Sequence, residues 1–103
     1  IMLNERFDKK FKAKMTRYVF ATLPKDILKY LIDNVFCLEQ RYKDLLYYRY
    51  VKECTLAGVG RHMNKSPWWS KVYISVAEEL CCVQITQYLY QLLQSNTLKK
   101  KTI

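Results

Sequence analysis

The chain has 103 residues, half of them apolar, enough for one compact domain and too few for two. Only two glycines (Gly58, Gly60) and two prolines (Pro24, Pro67) punctuate it, which excludes a sandwich or barrel of many short strands joined by tight turns. The formal net charge of +9 draws such a chain toward polyanions, nucleic acid first and an anionic membrane surface second; the bland explanation is solubility alone.

The predicted elements are helices throughout. The first runs from Asn4 to Phe20, with Phe7, Phe11, Met15 and Val19 spaced by four as one face. Lys9, Lys10, Lys12, Lys14 and Arg17 crowd its other side, which could lie along a phosphate backbone or simply face water. Thr22 to Asp26 is a helix start, with Pro24 near the first helical position and Asp26 opposing the positive end of the dipole. The second helix then carries a wide core stripe of Ile27, Leu28, Leu31, Ile32, Val35 and Phe36. From Leu38 a third helix places Leu38, Tyr42, Leu45, Leu46 and Arg49-Tyr50 on one side and Glu39, Arg41, Lys43 and Asp44 outside, ending near Lys52-Glu53.

Thr55 is a good cap for a short fourth helix, Leu56 to Met63, in which Leu56, Val59 and Met63 share a face and Gly60 permits close helix approach. Asn64 suits a left-handed turn residue. Ser66 caps and Pro67 opens the fifth helix, whose inward face is expected to hold Trp69, Val72, Val76 and Leu80. Val83 to Leu93 extends that helix or forms a sixth, with Ile85, Leu89 and Leu92/Leu93 apolar and glutamines outside; it packs back on the body or pairs with another copy as a homodimer. The basic tail Leu98 to Lys101 adds a few nonspecific phosphate contacts. The expectation is an all-α, compact bundle of five or six helices forming a single domain over 1–103, with 81–103 as C-terminal helix and tail.

Cys37, Cys54, Cys81 and Cys82 form no CxxC pair and there is one histidine, His62, so the ligand spacing of a zinc site is lacking and no metal or cofactor is expected. With no secretory leader read and Cys81 and Cys82 about 100° apart on one helix, reduced, mostly buried thiols in a cytoplasmic protein are the expected state. No apolar run reaches the roughly 18 to 20 residues of a membrane span. No serine or cysteine has a second histidine or an orienting carboxylate nearby, so an enzyme is not expected and no residue is assigned a catalytic role.

Leu45-Leu46-Tyr47-Tyr48-Arg49-Tyr50-Val51, then Thr55 through Asn64, then Ser66 opening a helix through Ala77 and Leu80, resembles the helix-turn-helix of sigma factor region 4. It equally resembles the ArpU and RinA group of late-transcription regulators from phages of Gram-positive bacteria. The likeness spans about forty residues within the 38–80 stretch. Three positions depart from the pattern: Lys65 stands where the turn usually holds an apolar residue, Ser70 where the recognition helix usually buries Val or Ile, and Trp68-Trp69 where a small polar pair is usual.

The resemblance implies a small DNA-binding transcription regulator that lays its fifth helix in the major groove of double-stranded DNA, with RNA polymerase or another protein as a further partner. It places Ser66, Trp68, Ser70, Lys71 and Ser75 toward the groove and Thr55, Arg61, Lys65, Arg41 and Lys43 on phosphates. Among the residues from Ser66 to Ser75 only Lys71 is charged, and no Arg, Asn or Gln offers bidentate base contacts, so base reading is expected to be weak. The alternative is a helical protein-interaction module, an adaptor or inhibitor, in which Tyr42, Tyr47, Tyr48 and Tyr50 join Trp68 in an exposed docking surface. Exposure of those tyrosines separates the two readings.

Overall fold

The computed structural model describes the backbone of residues 2–102 and the side chains of residues 10–95. The chain is all-α, with five helices and, among the described residues, no strand. Helix α1 spans Met2–Thr22. Helix α2 is α-helical over Lys25–Tyr30 and widens into a π turn over Leu31–Val35. Helix α3 is α-helical over Gln40–Leu46 and likewise ends in a π turn, Tyr47–Val51. Helices α4, Leu56–Met63, and α5, Pro67–Thr102, complete the chain. The C-terminal stretch therefore continues α5 and is not a sixth helix, in keeping with the lack of any Gly or Pro after Pro67.

Phe20, Leu28, Ile32, Leu45, Leu46, Val59, Ile74, Ala77 and Cys81 form the centre of one core to which all five helices contribute. Phe20 joins its neighbours by ring contacts, 6.0 Å to Phe36 and 5.2 Å edge-on to Tyr50. Helix α5 is the spine, packed by α1, α3 and α4 along its first half.

Two inward faces differ from the periodicity expected. In α1 the buried positions are Ala13, Thr16 and Phe20, while Phe11 and Met15 are exposed; the side chains of Phe7 and Lys9 lie outside the described residues. In α5 the buried positions are Ser70, Ile74, Ala77, Glu78 and Cys81, while Leu80 is exposed and Val72 and Val76 are half-buried. The reason is shared. The two helices meet at small side chains of α1: the Thr16 hydroxyl donates to the Glu78 carbonyl oxygen at 2.9 Å, and Ala13, three residues before it, is buried and lines a groove with Ser75 and Glu79. Close approach places small residues at the contact and turns the bulky stripes aside.

In α2 the stripe is narrower than expected, with Leu28, Ile32 and Phe36 buried and Ile27 and Val35 exposed. Of the four free cysteines, Cys81 is buried, Cys54 and Cys82 are half-buried and Cys37 is exposed, so "mostly buried" does not hold. Burial pushes the Cys81 thiol up to about 12.

Candidate nucleic-acid interface

Helices α4 and α5 are joined by residues 64–66, and local chemistry sets both helix starts. Thr55 Oγ1 accepts the Gly58 N–H at 3.1 Å, and Ser66 Oγ accepts the Trp69 N–H at 3.1 Å. Asn64 ends α4 in the left-handed conformation, φ 58° and ψ 43°. The turn closes tightly, with Lys65 N–H donating to Gly60 O at 2.8 Å.

The first turns of α5 stand open to solvent. Trp68 is 73% exposed, Lys71 is exposed, and Val72 and Ser75 are half-buried beside them. Trp69, one residue on and thus about 100° around the helix, packs against Tyr73 at 4.7 Å and joins the core margin. Ser70 must be removed from the predicted contact set: it is fully buried, and its hydroxyl donates to Ser66 O at 3.1 Å. It occupies the position where the resembled pattern buries an apolar residue, and the bond to the preceding turn satisfies its hydroxyl there.

Cations line both flanks of this open face. On one flank Lys65 lies 5.5 Å over the Trp69 ring, and Arg41 lies 5.5 Å over Tyr73 and 4.8 Å over Tyr42, so the packed Trp69–Tyr73 pair is bracketed by two cations. Arg41 also pairs with Glu39 at 3.2 Å. Lys43 does not join them; its Nζ is 3.5 Å from Asp33 O at the end of α2.

The other flank escaped the motif reading. Ser75 and Glu79 of α5 form one wall of a groove of about 620 Å³, and Lys10, Lys14 and Arg17 of α1 form the other. A smaller adjoining cleft of about 130 Å³ brings Arg17, Arg49 and Lys71 together around Glu78. Lys71 and Ser75 thus face the basic side of α1, whose charge run the sequence left open between phosphate contact and solvated face. Among the described residues Arg61, Lys65 and Lys71 have no carboxylate partner.

Glu78 is the anchor beneath this flank. Its carboxylate accepts Arg17 Nε at 3.1 and 2.9 Å and the Tyr50 hydroxyl at 2.5 Å, tying α1 and α3 to α5. Burial lifts its carboxyl above the usual range, against the pull of the Tyr50 and Arg17 contacts. Burial, and then the bond to Glu78, hold the Tyr50 hydroxyl protonated far above its ordinary value. Arg49 NH1 donates to Cys54 O at 2.9 Å, bracing the loop before α4.

The tyrosines of the alternative docking surface lie partly inside the fold. Tyr42 is buried, Tyr48 and Tyr50 pack on the core, and Tyr47 is half-buried, stacked edge-on to Tyr48 at 5.6 Å. His62 stacks face to face on Tyr48 at 4.3 Å, an ordinary packing role. Among the described residues no cluster of three His, Cys, Asp or Glu is placed to hold a metal ion, and no helix is long and apolar enough to cross a membrane.

No family model, curated protein or solved structure matches this chain.

Proposed function

We propose that this protein binds double-stranded DNA through a helix-turn-helix formed by α4 and α5, with the first two turns of α5 in the major groove. The observation that carries the reading is the flanking of one open helix face by cations on both sides. A major groove is bordered by two phosphate strands, and a helix that enters it needs positive charge along both of its edges. Arg41 and Lys65 supply one edge; Lys71, Arg17, Lys14 and Lys10 supply the other. Arg61, in the last turn of α4 and without a carboxylate partner among the described residues, adds a phosphate contact beside the turn.

The residues presented to bases are few: Trp68 for a thymine methyl or a base face, and Lys71 for the acceptor edge of guanine, with Ser75 beyond them. Affinity is accordingly dominated by phosphates and strongly salt-dependent. By resemblance to sigma factor region 4 and the ArpU and RinA regulators, the role is transcription regulation in the cytoplasm of a Gram-positive host or its phage, without catalysis, alongside RNA polymerase or another protein. Burial of Tyr42 and part-burial of Tyr47, Tyr48 and Tyr50 favour this over a protein-only docking module.

The test is equilibrium binding to a labelled duplex of random sequence across a salt series, comparing the parent with Lys71→Ala, Arg61→Ala and Lys14→Ala. The expected result is binding that falls steeply with salt, each variant weakening it and lowering the slope of log affinity against log salt by about 1. No binding at low salt, or equal binding by all three variants, overturns the proposal.

A further inference from the structure

Helix α5 outlasts the body it packs on. Its 36 residues reach about 54 Å at ~1.5 Å per residue, and among the described residues Ile85 is the last of α5 to pack on the core. There Gln84 clamps the α2–α3 loop: Cys37 N–H donates to its Oε1 at 2.8 Å, and its Nε2 donates to Cys37 O at 3.0 Å. Every residue from Thr86 to Ser95 is exposed, including Tyr88 at 58%, Leu89 at 53%, Leu92 at 44% and Leu93 at 65%. So much exposed apolar surface on one helix is costly unless something covers it.

The spacing of this stretch names what covers it. Leu89 and Leu92, both exposed, continue the three-and-four spacing begun by Cys82 and Ile85, which are half-buried at the edge of the body, and the four fall at the a and d positions of a heptad. Gln84, Gln87, Gln91 and Gln94 all fall at c and f, the positions farthest from such a seam. Tyr88 falls at g and Leu93 at e, and in a parallel pair the g residue of one chain meets the following e residue of the other, so these two apolar side chains flank the seam together.

Charge points to the same occupant. The chain carries +9, yet no charged residue lies between Glu79 and Lys99. A second copy of so basic a chain is repelled almost anywhere else and meets no like charge here. An acidic or basic partner would find nothing on this stretch to pair with.

We propose that residues 82–95 of α5 form a parallel two-stranded coiled coil with a second copy of this chain, the seam emerging from the body at Ile85. The dimer itself is independent of the DNA reading; its consequence, two α4–α5 units held for paired half-sites, rests on that reading.

The test is sedimentation equilibrium of the full chain from about 1 to 300 µM, the range suited to the weak association of a seam this short. The parent is expected to dimerise. Leu89→Glu, at the exposed centre of the seam, is expected to weaken the dimer by roughly 100-fold, as loss of a central interface contact does, with helix content by circular dichroism unchanged. Tyr90→Glu, equally exposed but at a b position, is expected to leave it intact. Oxidation of the triple variant Cys37→Ser, Cys82→Ser, Leu92→Cys is expected to give a covalent dimer, since d residues meet their mates only in a parallel, in-register pair. A monomeric parent at the highest concentration, a dimer that survives Leu89→Glu, or failure of the Leu92→Cys crosslink overturns the proposal. Duplex binding by a strictly monomeric parent would remove the dimer and leave the DNA reading standing; a dimer without duplex binding does the reverse.

Discussion

Replacing Gly60 by alanine sets two opposed effects against each other in one side chain. Alanine is favoured over glycine inside a helix by about 1 kcal/mol, so propensity alone predicts a gain. A Cβ at Gly60, however, would lie 2.5 Å from the backbone oxygen of Lys65 and 3.2 Å from the carbonyl carbon and oxygen of Ser66. These are atoms of the turn itself, so relief requires the turn to move by about 1 Å, at an overpacking cost of ~1–3 kcal/mol. The same movement stretches the 2.8 Å bond from Lys65 N–H to Gly60 O, which is worth about 1 kcal/mol. The balance is a loss of about 2 kcal/mol, or a fall of roughly 1 M in the urea midpoint. Gly58 supplies the control. A Cβ there meets no backbone carbonyl, only Cys54 Cβ at 3.3 Å, Thr55 Oγ1 at 3.4 Å and Arg61 Nη2 at 3.6 Å, and relief takes a shift of a few tenths of an ångström. Gly58→Ala is expected to lie between neutral and about 1 kcal/mol more stable. Urea unfolding followed by circular dichroism measures both. A Gly60→Ala protein as stable as the parent, or less destabilised than Gly58→Ala, would refute the reasoning.

Burial raises the Glu78 carboxyl above its ordinary 4.5, so between that value and the raised one the folded chain holds a proton that the unfolded chain has lost. Stability attributable to Glu78 therefore falls as pH rises through that window, and Glu78→Gln should lack this component; matching urea midpoints against pH for the two proteins would contradict it. Arg17→Ala leaves the buried carboxylate with Tyr50 as its remaining side-chain partner and is expected to cost about 2 kcal/mol, below the full buried-pair penalty because Arg17 is half-exposed, read as a lowered denaturation midpoint at pH 7. Thr55→Ala removes the cap on α4 and is expected to cost about 1 kcal/mol by the same unfolding measurement. Trp68→Ala should change stability by less than about 0.5 kcal/mol, as expected for so exposed a side chain, while weakening duplex binding roughly tenfold; a large loss of stability would place the indole in the core instead.

What could be read from the residues divides by the range of the forces involved. The bounds of α4, its left-handed Asn64 and the start of α5 were legible because Thr55, Asn64, Ser66 and Pro67 act on backbone within three residues of themselves. The rotation of α1 and α5 was not, because each helix offers two plausible inward stripes and the choice depends on how closely the pair can approach. Ala13 and Thr16, buried where α1 meets α5, mark that choice, and small residues carry little hydrophobic signal. Ser70 was misplaced for the same reason. Glu78 reads as an exterior residue in the sequence, and only Arg17 and Tyr50, 61 and 28 positions away, make its burial tolerable. The basic groove likewise joins Lys10 and Lys14 to Ser75 across most of the chain, a proximity that no local pattern encodes.

The central claim, that the open face of α4 and α5 meets duplex DNA, is tested most directly by titrating a short unlabelled duplex into the isotopically labelled protein and mapping amide shifts by nuclear magnetic resonance. The largest changes are expected from Arg61 to Ser75 and along Lys10 to Arg17, with the Tyr88 to Leu93 stretch unmoved. Changes confined to Tyr88–Leu93, or none at all at low salt, would contradict it.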